Sequence, residues 1–409
     1  MTDVESFDSD IVIVGGGLGG PALALGLAQA GFDVTVINAA PLAARKAADF
    51  DGRGYALALA SVRLLERLGI WGDVADNAQP MLEIKVSDGR AGEGPLSPFF
   101  LHFDHAEIEE GPMGHMVEDR FLRRVLLEAL GRDSRITHLA GETVVAQSCD
   151  TRRAQVTLAS GRQITGRVLV GADGRRSGTT ARADIPRRGW DYGQTALVAA
   201  IEHAEPHHGI AHQFFMPAGP LAILPLPGNV SSIVWSETAE TAAEFLALND
   251  ADFLEVLRPR FGDFLGEISL RGNRFSYPLA LSLAERFTDT RLALVGDAAH
   301  GLHPIAGQGL NAGLRDVAAL VQVLREAQAR GEDIGASDVL ARYQQWRRFD
   351  TTTLAMTTDI TNRLFSNDNP LARLTRDIGM GVVNALPPLR RGLIREAAGL
   401  VGDLPDLMR

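Results

Sequence analysis

The segment that most constrains this chain lies at residues 10–37: DIVIV, then Gly15-Gly16-Gly17-Leu18-Gly19-Gly20, an alanine- and leucine-rich stretch over 21–30, Gly31, and DVTVI. Two short β-branched runs flank a glycine turn and a stretch of helical character, so the order reads strand, turn, helix, strand. Gly15, Gly17 and Gly20 stand at the G-x-G-x-x-G positions, with Leu18 inside the turn. The first glycine makes the turn, the second lets a pyrophosphate approach the backbone, and the third lets helix pack on strand. The unpaired N–H groups and positive end of the helix then receive the phosphates. A glycine pattern alone is equally a loop; strands in register on both sides specify a dinucleotide-binding β-α-β unit.

The residue closing the second strand is Asn38, where such a unit usually offers a carboxylate to the ribose hydroxyls. An amide still hydrogen-bonds a ribose but gives up charge assistance worth about 1 kcal/mol, and it adds no positive charge for a 2′-phosphate. Two later segments repeat the theme of a strand running into a glycine turn with one acid. Residues 168–170 enter GADGRRS, with Asp173 and Gly174; residues 291–295 enter GDAAH, with Asp297, followed by His303-Pro304, Gly307-Gln308-Gly309-Leu310-Asn311 and a helix expected from about Ala312. Asp297 is placed to accept hydrogen bonds from a polyol, and residues 307–311 bring backbone donors at a helix start to an electron-rich ring edge. Those are the needs of a ribityl chain and a reduced isoalloxazine, which makes FAD the expected dinucleotide.

Together GxGxxG, GADGRRS and GDAAHGLHPIAGQGLN resemble the group A flavoprotein monooxygenases over essentially the whole chain. Further stretches are similar to the ubiquinone-biosynthesis hydroxylase family of UbiH, UbiF and VisC type: DGRGYALALASVRLL from 51, MVEDRFLRRVL from 116, and, most diagnostic, QGLNAGLRD from 308 and NRLFSNDNP from 362. The resemblance implies a p-hydroxybenzoate hydroxylase-like α/β fold, with a Rossmann-like FAD-binding domain, an inserted antiparallel-sheet substrate domain and a C-terminal helical segment. It implies NAD(P)H as a transient co-substrate, O2, and a C4a-hydroperoxyflavin that hydroxylates the ring of a polyprenylphenol. It also implies that Arg53 and Arg120 contact FAD, that Asp297 holds the ribityl chain, and that Asp173 and Gly174 serve both the FAD pyrophosphate region and NAD(P)H. Pro304, Gly307, Gln308 and Gly309 are expected beside the flavin, with Leu310 and Asn311 among the cofactor-binding residues. In the family pattern an arginine stands three residues after the DG serine; here that place is Thr180, with Arg182 nearby.

Composition narrows the alternatives. The net charge of -11 argues against nucleic acid, whose binders concentrate positive charge. Cys149 is the only cysteine, so a disulfide, a CxxC redox pair and a cysteine zinc site are excluded, and redox chemistry needs a borrowed cofactor. With lysine only at Lys46 and Lys85, no lysine suits a halogenase tunnel. His203, His207, His208 and His212 have metal-like density but no acidic or cysteine partner at ligand spacing, so no metal is expected. His300 and His303 read as packing residues, since the chemistry demands no side-chain acid or base. The acidic start, lacking a basic n-region, reads as cytoplasmic.

The nucleotide domain is expected to be discontinuous, over 1–78, 106–184 and 289–345, with the substrate domain at 79–105 and 185–288. TALVAAIEH, GIAHQFFM, GPLAILPLPG, VSSIVWS and FSYPLAL read as strands of the antiparallel sheet, with a helical stretch over 241–264. Residues 346–409 form the helical segment. From Arg342 to Arg409 ten arginines meet seven acids, with Arg373, Arg376, Arg390, Arg391 and Arg395 interleaved among apolar residues. That pattern is a helical cap or, alternatively, a docking face for the inner membrane surface or a biosynthetic partner. Two other functions remain open on the sequence: a flavin-dependent reductase or oxidase of another lipid or aromatic, and a non-catalytic subunit of a biosynthetic complex.

Overall fold

A computed structural model describes residues 7–42, 53–89, 100–303, 307–365, 381 and 383–409. The central sheet has six strands in the order Thr288–Asp289, Leu292–Leu294, Val168–Gly171, Ile11–Val14, Val34–Asn38 and Ile136–Ala140. All neighbours in it are parallel except the first pair. Ile11–Val14 is buried along its whole length, as a parallel strand covered on both faces must be. Helix Gly19–Gln29 covers one face and crosses helix Gln308–Ala329 so closely that a Cβ on Gly26 would meet a Val321 methyl at 2.9 Å.

The register brings the three motifs together. Val14 pairs with both Ile37 and Gly171, and Gly171 with Leu294, so the glycine loop, Asn38, the DG turn and the GD turn all leave the carboxyl edge at one level. That edge is where open α/β sheets bind ligands. A three-stranded antiparallel meander over Val144–Cys149, Ala154–Leu158 and Gln163–Gly166 precedes the DG strand. A second small sheet joins Gly54–Ala58, Gly114–Glu118 and Ala78–Met81.

The substrate part is an eight-stranded sheet built on Arg187–His203, Val230–Thr238, Gly219–Leu226, Ile210–Met216 and Ile268–Ala284. Glu83–Asp88 and Phe100–Asp104 extend one edge, and His300–Gly301 closes the other. Alternation sends Leu197, Ile201, Leu221, Ile233 and Trp235 to one face, beneath helices Ala239–Ala247 and Asp250–Phe261. The stretch expected as one helix over 241–264 is thus two, because Asn249 leaves the helical conformation and its side chain caps the second by accepting from Asp252 N at 3.0 Å. The opposite face meets the nucleotide part, where Ala200, Leu226 and Val230 pack with Met81 and Met116. Helix Ser337–Phe365 runs along both parts, and Pro387–Ala397 follows it.

Candidate FAD and oxygenation site

The glycine loop is a backbone cradle. Gly15 has φ +128°, and a Cβ there would collide with the Ala172 carbonyl of the DG turn. A Cβ on Gly20 would likewise strike the Gly15 carbonyl, which fixes helix against strand. At Gly17 and Gly19, by contrast, an added Cβ would meet nothing within 4 Å. The close-packed glycines build the turn and the open ones leave room above it for a diphosphate, with the helix N-terminus behind. Leu18 is buried beside the loop.

Asn38 stands at the end of its strand but is only 2% exposed. Its side chain lies against Gly16, and its Oδ1 accepts from Ala40 N at 3.3 Å. Nδ2 is buried with no hydrogen-bond partner among the described residues, so the amide as placed supports the loop, and reaching a ribose requires it to turn outward.

The DG turn spends its carboxylate internally. Asp173 accepts from Ser177 Oγ at 2.5 Å, Thr179 N at 2.9 Å and Thr179 Oγ1 at 3.0 Å, and so holds Ser177, which caps the short helix Gly178–Arg182 by accepting from Thr180 N at 2.9 Å. Gly174 takes φ +82°. Thr180, in place of the family's arginine, is buried; it donates to Ser177 Oγ at 2.8 Å and contacts Ala298 O at 3.2 Å. Arg182 points away, to Gln147 Oε1 at 3.1 Å. Arg187 instead holds the GD turn, donating to Asp297 O at 3.1 Å and also to Ala298 O.

Asp297 keeps an open side: its side chain is 40% exposed and, among the described residues, its ion pair is with Arg175, at 3.3 Å. Beneath it lies a charged network that sequence reasoning missed. Asp316 is completely buried and accepts from Gly296 N at 3.0 Å, His300 Nε2 at 2.5 Å and Arg347 Nε at 2.8 Å. Burial pushes the Asp316 pKa up, but the His300 and Arg347 charges and hydrogen bonds outweigh it and leave the carboxyl below its ordinary range. The available clue was the aspartate ending QGLNAGLRD, an acid amid apolar helix positions.

The long helix begins at Gln308, not near Ala312, because Gly307 takes a left-handed φ of +64° and starts it early. Gln308, Gly309, Leu310 and Asn311 thus form its first turn, in which the N–H groups of Gly309 and Leu310 have no helical carbonyl four residues back. The Asn311 side chain is saturated: Nδ2 donates to Ala56 O at 2.8 Å and Gly307 O at 3.0 Å, while Oδ1 accepts from Ala58 N at 2.9 Å and Ser61 Oγ at 2.8 Å. It ties the helix start to strand Gly54–Ala58, leaving the backbone to face a ligand. Pro304 lies outside the described residues.

Arg53 and Arg120 flank that strand. Arg53 lies 3.5 Å from Asp119, which also accepts from Tyr55 Oη at 3.0 Å and pairs with Arg123. Arg120 pairs with Glu118 at 2.6 Å and covers the Phe121 ring at 4.6 Å. Both Arg120 and Glu118 line a cavity of about 250 Å³ floored by Ala200, Leu226 and Val230. His303 is fully buried, edge-on to the Tyr192 ring at 5.0 Å, and burial lowers its pKa to about 4. Two of the metal-like histidines are engaged by protein: His203 meets Glu205 O at 2.7 Å and Ser231 Oγ at 3.1 Å, and His207 meets Leu226 O at 2.8 Å.

These residues fit FAD: an open glycine cradle for the diphosphate, a half-exposed carboxylate beside it, and a helix start for the ring. The family described as FAD binding domain matches residues 8–357. The chain is 47% identical over 404 residues to the ubiquinone hydroxylase UbiL of Rhodospirillum rubrum, covering 98% of this chain and 92% of that protein. It is 34% identical to the 3-demethoxyubiquinol 3-hydroxylase of Escherichia coli, covering 96% and 99%. Among solved structures, p-nitrophenol 4-monooxygenase PnpA of Pseudomonas putida superposes with a TM-score of 0.78 at 19% identity, over 96% of this chain and 98% of that one. The chain therefore belongs to the FAD-dependent aromatic monooxygenase family that includes the ubiquinone hydroxylases.

Proposed function

We propose that this protein hydroxylates the aromatic ring of a polyprenylphenol intermediate of ubiquinone biosynthesis, taking electrons from NAD(P)H and oxygen from O2. The observation that carries the reading is the sheet face turned toward the nucleotide part. Alternation from Ala200, which packs there, assigns to it Ala196, Val198, Ala222, Leu224, Ser232 and Ser236. These small or apolar side chains leave space for a ring and favour an apolar one, the charges of Arg120, Glu118 and Arg271 being gathered at the Ala200 end of the face. The identity to a ubiquinone hydroxylase across nearly the whole chain supports the same substrate class.

FAD, when bound, supplies the redox chemistry and the activation of oxygen. The chain's own residues bind, orient and exclude water. Asp297 accepts hydrogen bonds from a ribityl chain, the first turn of Gln308–Ala329 offers N–H groups to negative charge on the ring, and the apolar sheet face keeps water from the reacting carbon. No side-chain acid or base is required, and the low basicity of His303 fits a neutral wall residue. Among the described residues no helix is long and apolar enough to cross a membrane, so a bilayer-borne substrate calls for work at the inner face of the cytoplasmic membrane from outside it. The reading is tested by incubating holoenzyme, NADH or NADPH, ¹⁸O2 and a polyprenylphenol, then weighing the product. One ¹⁸O in the ring is expected; flavin oxidation without label in the product would make the protein a reductase or oxidase. A deletion strain is expected to accumulate a non-hydroxylated or demethoxylated polyprenylphenol.

A further inference from the structure

The charges beside the substrate face gather at its Ala200 end. Six residues back along the same strand, about 20 Å away, the opposite end is closed by helix Ser337–Phe365. Asp359, Asn362 and Phe365, in its last two turns, stand three residues apart and share one side. Trp190 Nε1 donates to Asp359 at 3.2 Å, Asn362 Nδ2 donates to Gln194 Oε1 at 3.1 Å, and the Phe365 ring centroid lies 4.1 Å from that of Phe215. These partners belong to Arg187–His203 and Ile210–Met216, which have two other strands between them, so the helix end crosses four strands as a wall. The loop that leads to the expected flavin-side residues meets the same wall, with Leu302 packed in one cluster with Ala355 and His303 edge-on to Tyr192. Phe349, Met356 and Ile360, on the outer side of the helix, are left to solvent. Asn362 begins the NRLFSNDNP stretch, which lies outside the described residues beyond Phe365.

Gln194 borders the space left for the ring. Regular pairing from Gln194 to Ala196 puts both on the face turned toward the nucleotide part. A Cβ on Gly219 would meet Gln194 Nε2 at 3.0 Å and the Ser236 side chain at 2.7 Å, which fixes the amide beside the Ala196–Ser236 pair. The Ala218 carbonyl can only accept, so the Gln194 atom 2.6 Å from it is Nε2, and Oε1 is turned to Asn362. Each end of the amide thus makes one of its two possible bonds, and among the described residues one N–H and one lone pair stay unspent. Buried and clamped at both ends, the amide holds them in a fixed direction. A phenolic hydroxyl, which both donates and accepts, matches that pair; a methyl ether only accepts, and a bare ring leaves both unmade. We infer that Gln194 is a specificity-determining residue that reads the ring hydroxyl of the aromatic substrate, with Asn362 as the positioning residue that sets its amide; the inference rests on the phenol substrate proposed above. Anchored there, the ring takes one orientation on a face that otherwise offers it small or apolar contacts, and this selects which carbon meets the flavin loop.

The test is binding of 2-farnesylphenol and of its methyl ether to the oxidised holoprotein without NAD(P)H, read from the change in flavin absorbance. The wild type is expected to bind the phenol about tenfold tighter than the ether, the worth of one or two hydrogen bonds. Gln194→Leu is expected to bring the two dissociation constants within about twofold of each other, and Asn362→Leu, which leaves the glutamine but not its clamp, to give a ratio between these values. A ratio of two affinities does not depend on how much of a variant folds, which a purely structural defect would leave unmoved, and Gln194→Met makes the same change should the leucine variant lose FAD. Equal binding of phenol and ether by the wild type, or an undiminished ratio in the Gln194 or the Asn362 variant, overturns the inference. Binding of neither ligand would be failure of the phenol-substrate reading, and the inference falls with it; binding of both alike is failure of the inference alone.

Discussion

The DG turn at Asp173 and the GD turn at Asp297 leave neighbouring strands at the same level, each a strand, a glycine turn and one acid, but their carboxylates do different work. Asp173 is consumed by Ser177 and Thr179 within its own turn, while Asp297 makes a single ion pair among the described residues and stays 40% exposed. The DG acid therefore holds the chain in shape. The GD acid is available to a ligand because other groups carry its turn: Asp316 takes the Gly296 N–H, and Arg187 takes the two carbonyls that follow. A carboxylate is freed for binding where the surroundings satisfy the backbone on its behalf.

Four measurements would break or sharpen that contrast. Asp316→Asn should have the largest effect, because it takes the buried carboxylate away from both His300 and Arg347 and leaves Arg347 to Asp350. A loss of about 3–5 kcal/mol is expected, read as a lower urea midpoint, together with weak FAD retention. A midpoint equal to the wild type's would mean the network does not support the GD turn.

Next comes pH. His303 stays neutral in the fold down to about 4, whereas an unfolded histidine protonates below about 6.5. The unfolded state thus binds the extra proton between those values, and stability conferred by the buried neutral ring is complete above 6.5 and lost as pH falls toward 4. His303→Phe should flatten the stability curve in that window by about one proton, or ~1.4 kcal/mol per pH unit. An unchanged slope would place the proton uptake on other histidines.

Asp297→Ala is expected to weaken FAD by about 30–100-fold, roughly 2–3 kcal/mol of charge-assisted hydrogen bonding, while the apoprotein's midpoint barely moves. Asp173→Ala should show the reverse: about 1–2 kcal/mol of lost stability from the hydrogen bonds to Ser177 and Thr179 left unmade, and a smaller change in FAD affinity. Fluorescence titration of flavin alongside denaturant melts separates the two. Should the variants exchange these signatures, the division of labour drawn between the two turns is wrong.

Much of the nucleotide part was legible in sequence because its signals are local. Gly15 and Gly20 are required by contacts a few residues away or in the adjoining turn, and the β-branched runs beside them reveal the strands. Asn311 was legible as a motif residue but not as a staple, since its four partners lie at Ala56, Ala58, Ser61 and Gly307. Asp316 and Arg347 were hidden for a similar reason: they are separated by a helix and a half, and only burial shows that their charges are paired. Counting arginines overstated the basic character of the C-terminal helices, as Arg363, Arg390 and Arg395 carry charge in composition and spend it on Asp359, Glu107 and Glu110 in the fold.

The sequence by itself determined where the chain must turn, since three glycine-rich turns after β-branched strands admit few backbone conformations, and it determined that the turns suit a flavin dinucleotide. The tertiary structure decided which of two similar acids remains open, which side chains of the sheet face the nucleotide part, and which helix face is left to solvent. Those outcomes depend on burial and on partners more than a hundred residues away, as between Arg187 and Asp297 or Arg175 and Asp297, and neither is encoded in the spacing of neighbouring residues.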